Sequence, residues 1–377
     1  MGLVSENTEN SIGLLPKNID YFKLLALQQL TKKPRYTYQI SVTDLLCLNN
    51  CPLCGCEDLK TISEVYLASG LKFFVTKTCR RCVFTFRTIS PSIGWFEKCW
   101  HQIATDKLEV FNRKAEYYKA KRYRVYAKML RPYLKNRSRL LDIGASYGTG
   151  SMILKNEGFL VDAVEIEENK ANYLHKKLKI RVVDKTIEHF LAHKHNYNMV
   201  VFSNCLEHLD KPAEVMLNMR NIIRPNGLLL LSIPNIWTCL TWSDALYLTH
   251  KSNFTLQNIL ELVTRSGFEV LEMRTVPSFF PNDTTNELAF ILRATNAPAS
   301  LQFAHPGRQA RLKLLQSIQS LYKNGLPIKP TSKSSQPLRF IVPYIDQFFQ
   351  TINLDDKKIS RIRIKQVEFL TFTSLHD

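Results

Sequence analysis

The sequence predicts an α/β chain: a doubly wound, mostly parallel sheet preceded by a small cysteine-rich module. Three observations predict it. The run Leu140-Leu141-Asp142-Ile143 is an apolar strand leading into a turn that carries Gly144, Gly148 and Gly150. A second apolar strand, around 161–164, stops at Glu165. Two Cys-x-x-Cys pairs, Cys51/Cys54 and Cys79/Cys82, stand ahead of both.

A strand, a glycine-bearing turn, a helix and a second strand ending on an acid is how a doubly wound sheet grips a nucleoside. Gly144 lets the backbone turn sharply and approach a ligand with no side chain in the way. Ala145 and Ser146 continue the turn, and Gly148 and Gly150 open a helix whose free N–H groups carry partial positive charge. A diphosphate loop reads G-x-G-x-x-G, but Ser146 occupies its second glycine position here. Asp142 suits a cationic amine and would repel a phosphate. Glu165, about twenty residues on, can bond both ribose hydroxyls. These details favour S-adenosylmethionine over a dinucleotide; a non-binding α/β core with incidental glycines is the plain alternative. Around the pocket, Tyr147 and Ile166 are placed to flank adenine or the methionine chain. Thr186 and Ile187, after the third strand RVVD, fall where backbone groups meet the adenine edge, with Asp184 beside them.

The next elements follow in order. Met199 to Phe202 is a continuous apolar run, as a central parallel strand requires. Pro212 opens a helix with Val215, Met216, Met219, Ile222 and Ile223 as its apolar positions, stopped by Pro225-Asn226-Gly227. Leu228 to Ile233 forms the following strand, which closes on a Pro-Asn pair.

With these residues in place, the segment 139–295 resembles the class I S-adenosylmethionine-dependent methyltransferases. It is similar to the branch whose fourth strand leads into Leu-Glu-His-Leu, here 206–209, and whose fifth strand ends in Pro-Asn, here 234–235. HKSNFTLQNILELVTRSGFEV, 250–270, resembles that branch's histidine, Phe-Thr, amphipathic helix and Gly-Phe. The resemblance implies a Rossmann-like class I methyltransferase fold with a seven-stranded, mostly parallel sheet and S-adenosylmethionine as donor. It also implies that the acceptor lies beyond strand four, at Ser203, Asn204, Glu207 and His208.

Methyl transfer from a sulfonium is an in-line displacement, so the protein must align the acceptor and, for a hydroxyl, remove a proton. His208 is the candidate general base, because imidazole titrates nearest neutral pH. Glu207 would orient it, and His250 would enter the same cleft; alternatively Glu207 and His208 only cap the next helix. Related quinone O-methyltransferases carry a further carboxylate three positions before LEH that assists metal binding, and Asn204 stands there in this chain.

The four paired cysteines have the spacing of a zinc ribbon: each knuckle places two thiolates at adjacent corners of a tetrahedron. The segment VYLASGLKFFVTKT between them reads as a β-hairpin. Redox pairs or core cysteines are the competing readings, and Cys47 or Cys56 could replace a ligand. The module resembles the N-terminal zinc-binding unit of many sugar and small-molecule methyltransferases. Trp95, Phe96, Trp100, Tyr117 and Tyr118 fill the link that follows, chiefly as packing between the two parts, with one or two of them open to roofing the substrate pocket.

The expected division is a partly helical leader (1–46), a zinc ribbon (47–95), a basic aromatic helical link (96–138), the methyltransferase domain (139–295) and a C-terminal extension (296–377). An amphipathic helix is expected near Tyr21 to Leu30, another over Arg311 to Tyr322, and strand material at 361–365. The extension would pack on the core, form a homodimer or dock a partner protein.

Nine cysteines without a secretion signal favour reduced thiols or metal ligands over disulfides. No apolar run reaches membrane-spanning length, so a cytoplasmic protein without membrane insertion is expected. A formal net charge of +18 and the basic link, with Tyr117, Tyr118, Tyr123 and Tyr126 interleaved, raise an alternative: an RNA methyltransferase. Against it, SNCLEH is not the Asn/Asp-Pro-Pro-aromatic signature of exocyclic amine methylation. A third reading is a non-catalytic protein that binds S-adenosylmethionine for a partner. The favoured expectation is transfer to oxygen of a small or carrier-linked metabolite.

Overall fold

The computed structural model describes residues 40–67, 70–96, 113–133, 138–239, 249–277, 286–295, 307–323, 338–342 and 368–370. The cysteine-rich module is built on strands β1 (Leu45–Cys47), β2 (Leu59–Leu67), β3 (Lys72–Cys79) and β4 (Thr85–Pro91). β2 and β3 form the expected hairpin, and β4 returns antiparallel to β3, with β1 on its far side. Phe73, Phe74, Phe84 and Phe86 are fully buried in this small unit.

Helix α1 (Arg113–Leu130) leads into the second sheet. Then follow β5 (Arg139–Ile143), α2 (Thr149–Asn156), β6 (Leu160–Val164), α3 (Glu168–Lys176), β7 (Arg181–Asp184) and β8 (Tyr197–Ser203). After them come α4 (Pro212–Asn218), β9 (Ile223–Pro234), β10 (Ser252–Asn253), α5 (Leu256–Arg265), β11 (Phe268–Pro277) and β12 (Asn286–Ala294). The strand order is β11-β12-β9-β8-β5-β6-β7. β5 to β9 run parallel, and β12 is antiparallel to both its neighbours, so one strand of the seven is reversed. The seven-stranded, mostly parallel sheet expected from the motif order is therefore present.

Alternation along the central strands sends side chains to both faces, which is why they read as unbroken apolar runs. Leu140, Met199, Val201, Leu228 and Leu230 face Tyr123, Tyr126 and Leu130 of α1. Leu141, Val200, Phe202, Leu229 and Leu231 face the other side, with Met216 of α4 and Ile259 of α5. Phe84, Phe86 and the four paired cysteines belong to this second cluster, so the module and the sheet share a core.

That joint has three further ties. β10 pairs antiparallel with β4, the Arg87 N–H donates to the Lys251 carbonyl at 2.8 Å, and Asn258 of α5 donates to the Cys82 carbonyl at 2.8 Å. On the far edge, β13 (Leu338–Val342) pairs parallel with β2, and β14 (Glu368–Leu370) pairs with β13. The C-terminal extension thus enlarges the sheet of the cysteine-rich module.

Three local expectations are corrected. The helix opened by Pro212 ends at Asn218 and tightens to a 3-10 turn, Met219–Asn221, instead of reaching Ile223. Ile223 pairs with Tyr197, so Pro225-Asn226-Gly227 lies inside β9, where Asn226 takes φ 59° at a register shift. Helix α6 (Arg308–Lys323) covers the amphipathic stretch and buries Leu315 and Ile318, but Leu312 faces solvent. The helix expected near Tyr21 and the strand at 361–365 lie outside the described residues.

Candidate active site

The C-terminal ends of β5, β6, β7 and β8 open onto a cavity of about 330 Å³. This is where ligands bind in open parallel sheets. Gly144, Glu165, Ile166, Thr186 and Ile187 line one side. Cys205, His208, Leu209, Thr249 and Lys251 line the other, and Ile93 and Phe96, just after β4, complete the wall. The module that carries the cysteines therefore supplies part of the pocket.

Glu165 sits at the carboxyl end of β6 and is almost completely buried. Its Oε2 accepts from the Ser146 N–H at 2.6 Å and its Oε1 from the Glu167 N–H at 3.0 Å. Two backbone donors thus fix the carboxylate across the first turn before any ligand arrives. Gly144 adopts φ 73°, and a Cβ there would lie 2.5 Å from the Cys205 Sγ. Gly148, with φ 77°, is the N-cap of α2.

Other residues named from the sequence do not line the cavity. Asp142 is fully buried; Tyr123 donates to its Oδ1 at 2.8 Å and Ser151 to its Oδ2 at 2.6 Å. Burial pushes its carboxyl up from the ordinary range, against those two bonds and the nearby Lys119 ammonium. Lys119, itself buried, donates to the Ala145 carbonyl at 3.0 Å and so braces the turn from below. The sequence reading missed this lysine, whose only signal was its place among other basic residues of α1. Ser203 meets the Tyr126 hydroxyl at 3.0 Å and donates to the Asn204 Oδ1 at 3.1 Å. Tyr147 packs edge-on to Tyr173 and under the Lys170 ammonium. Asp184 holds His189 Nδ1 at 2.6 Å.

On the acceptor side, Leu206–His208 is a 3-10 turn that follows β8. His208 Nδ1 bonds the Thr249 carbonyl at 2.9 Å, and the Lys251 N–H donates to the Glu207 carbonyl at 2.8 Å. These two bonds lock the turn to the 249–251 loop. A carbonyl only accepts, so Nδ1 carries the proton and Nε2 offers a lone pair. The His208 and His250 rings lie 5.1 Å apart, and His208 Nε2 is 4.0 Å from the Glu207 Oε1. Glu207 is 1% exposed, and neither carboxylate oxygen has a hydrogen-bond partner among the described residues. Burial pushes its carboxyl up to about 7, with His250 opposing. Burial and His250 push His208 down to about 3. Lys251 is paired with Asp210 and lies 5.3 Å from the Phe96 ring centre.

The four paired cysteines gather their sulfurs within 4.8 Å of one another. Cys51 to Cys82 and Cys54 to Cys79 both measure 3.6 Å. A tetrahedral zinc with Zn–S bonds of about 2.3 Å needs edges of roughly 3.8 Å, so the set fits the ion. The Arg81 and Cys82 N–H groups point at Cys79 Sγ at 3.3 and 3.5 Å, as a knuckle must to spread thiolate charge. Cys56 and Cys47 are outside this group.

Helix α1 turns two of the tyrosines proposed for RNA stacking inward. Tyr123 and Tyr126 are buried against the sheet, whereas Tyr117 is exposed with the Lys121 ammonium 4.9 Å from its ring centre. Among the described residues, no helix is long and apolar enough to cross a membrane.

Residues 111–273 match the family model described as a methyltransferase domain. A ubiquinone biosynthesis O-methyltransferase of Rickettsia canadensis is 25% identical over 152 residues, 36% of this chain and 64% of that protein. Its counterpart in Rickettsia akari is 30% identical over 101 residues, 26% of this chain and 40% of that protein. The chain thus spans less than two thirds of the length of these curated relatives. Among solved structures, the 1,6-didemethyltoxoflavin-N1-methyltransferase of Burkholderia thailandensis, with bound S-adenosylhomocysteine, aligns at TM-score 0.43. It is 18% identical, over 56% of this chain and 96% of that one. The matched segment spans the first turn, Glu165 and the Leu206–His208 turn. Residues 111–273 are thus similar to the methyltransferase domains that this family model describes.

Proposed function

We propose that the protein transfers a methyl group from S-adenosylmethionine to a hydroxyl of a small or carrier-linked metabolite. One observation carries the reading. Glu165, pre-set by two backbone N–H groups, and His208 line the same cavity, and His208 stands in one cluster with Glu207 and His250. The carboxylate would take the ribose hydroxyls of the donor. The sulfonium supplies an activated methyl and leaves as a neutral thioether. Gly144 admits the donor close to the backbone, and Ile166, Thr186 and Ile187 would enclose the adenine. Asp142 holds the turn from beneath through Tyr123 and Ser151, so its part in binding the donor is indirect.

On the other side, Glu207, His208 and His250 would bind the acceptor hydroxyl and take part in removing its proton. Phe96 and Lys251 roof that end and would set which acceptor fits. The ubiquinone O-methyltransferases to which the chain is similar act, by their names, at oxygen. Cys51, Cys54, Cys79 and Cys82 would hold a structural zinc, which gives the small module the folding energy its own core lacks.

The experiment is untargeted. The protein is incubated with labelled S-adenosylmethionine and cell extract, with and without prior nuclease treatment. Label in low-mass material that survives nuclease is the expected result. Label lost with RNA would overturn the acceptor class, and no donor binding by calorimetry would overturn the reading entirely.

A further inference from the structure

We propose that the outer face of α1 is a docking surface for single-stranded RNA, separate from the pocket at the strand ends. Between 116 and 131 the exposed positions are Tyr117, Lys121, Arg124, Lys128 and Arg131. Steps of four, three, four and three residues keep them on one stripe of the helix, about 21 Å long. α1 carries seven Lys and Arg and a single acid, Glu116, which the Thr149 hydroxyl engages. Two of the seven cations serve the fold: Lys119 bonds the Ala145 carbonyl and Arg122 pairs with Glu287.

Lys121, Arg124 and Lys128 have no such task, and none of them meets an acid among the described residues. Like charges three and four residues apart on a helix repel one another. A face that is merely solvated mixes acids with its cations, as Arg131 finds Glu157 at 2.6 Å. Here the excess is left for a polyanion to neutralise. Tyr117 adds what a plain charge row lacks. It is 53% exposed, and the Lys121 ammonium lies 4.9 Å from its ring centre, so a stacking surface and a phosphate-seeking charge stand side by side.

The setting of the helix selects the polyanion. Tyr123, Tyr126, Met129 and Leu130 hold its inner side against the sheet, and α2 crosses it at Gly150, so α1 cannot enter the groove of a duplex. A helix that lies on an anionic bilayer sets aliphatic side chains beside its cations, and no exposed position from 116 to 131 holds one. A single strand can lay its phosphates along the row and a base on Tyr117, and single strands in cells are overwhelmingly RNA. No residue of α1 lines the cavity, so a strand held on this face is not presented to the methyl donor. The surface stands without the methyltransferase reading.

The test uses the full chain and a short fluorescein-labelled oligouridylate, followed by anisotropy. Three phosphate contacts give a slope of about −2 in log K against log salt, a loss of roughly 20-fold between about 50 and 200 mM. Lys121→Gln, Arg124→Gln and Lys128→Gln together should remove that dependence, and Tyr117→Leu should weaken binding at least about fivefold with the slope kept. Lys176→Gln, Lys177→Gln and Lys194→Gln together take the same charge from exposed positions elsewhere and should leave binding within about twofold. Circular dichroism checks that each variant is folded. Equal weakening by the two triple variants would overturn the surface and leave only the net charge of the whole chain. Binding to vesicles of equal phosphatidylcholine and phosphatidylserine, with none to the oligonucleotide, would overturn RNA in favour of a membrane. Methyl label passing to the oligonucleotide would overturn the separation from the pocket. A wild type that binds the oligonucleotide but no S-adenosylhomocysteine would instead overturn the methyltransferase reading and leave the surface standing.

Discussion

Asn258 Nδ2 donates to the Cys82 carbonyl at 2.8 Å, which joins the cap of helix α5 to the second cysteine knuckle. The same side chain closes a capping box: its Oδ1 accepts from the Thr255 backbone N–H at 3.3 Å, while the Asn258 backbone N–H donates to Thr255 Oγ1 at 3.1 Å. One amide therefore serves both the α/β domain and the module. Asn258→Leu should cost about 2–3 kcal/mol, because it strips a buried carbonyl and a helix cap together. Urea unfolding of the variant checks this. With the proposed zinc held by the four cysteines, a strong chelator should also lower the unfolding temperature of the α/β domain; a domain melt indifferent to the chelator would count against a zinc that couples the two parts.

Glu165→Ala should weaken donor binding. The lost carboxylate accepts two charge-assisted hydrogen bonds across the pocket floor and would lose those to the ribose. At about 1.5–3 kcal/mol for bonds to a charged group, affinity should fall roughly 10- to 100-fold. Calorimetry with S-adenosylhomocysteine measures it, and unchanged affinity would remove Glu165 from the donor site.

Gly150 packs where α2 crosses α1, and a Cβ there would overlap the Tyr123 ring. Gly150→Ala should destabilise by about 1–3 kcal/mol despite the better helix propensity of alanine. The displaced Tyr123 would also loosen its bond to Asp142. A Tyr123→Leu partner mutation should recover part of the loss in denaturant titrations, as steric coupling requires.

Asp162 joins β6 to β7 through Arg181, whose Nε and Nη2 donate at 2.9 and 2.6 Å, and accepts from the Tyr197 hydroxyl at 2.8 Å. Burial pushes its carboxyl up, but the Arg181 and Tyr197 bonds outweigh this and hold it below the usual carboxylate range. A depressed carboxyl adds stability above the unfolded-state pKa of about 3.9, and that contribution fades as pH falls through the folded value. Asp162→Asn should therefore cost about 1 kcal/mol at neutral pH, given its half-exposed arginines, and much less near pH 2. Chemical unfolding at the two pH values checks the difference.

The central sheet was legible because its strands are apolar on both faces and its turns carry glycine where positive φ is needed, as at Gly144 and Gly148. Glu165 was legible for the same reason: a lone acid ending an apolar strand stands out. The PNG sequence misled because a turn-forming triplet also fits a strand irregularity, and Asn226 tolerates φ 59° there. Long-range pairings leave no local periodicity. Nothing in Ser252–Asn253 announces that it joins β4, and nothing in α1 distinguishes buried Lys119 from exposed Lys121. Phe96 on the cavity wall was read chiefly as interdomain packing, with a place over the pocket left open for one or two of the link aromatics; which of them reaches the pocket became visible only in three dimensions.

The parallel pairing of β13 with β2 sets an order of events during biosynthesis. The ribosome finishes residues 59–67 long before 338–342, so the hairpin must wait with an open backbone edge while the whole α/β domain is made. Joining segments so distant along the chain is entropically slow. Until it happens, the bare edge of β2 can recruit a strand from another molecule, which makes the late-arriving tail a guard against self-association in the nascent protein.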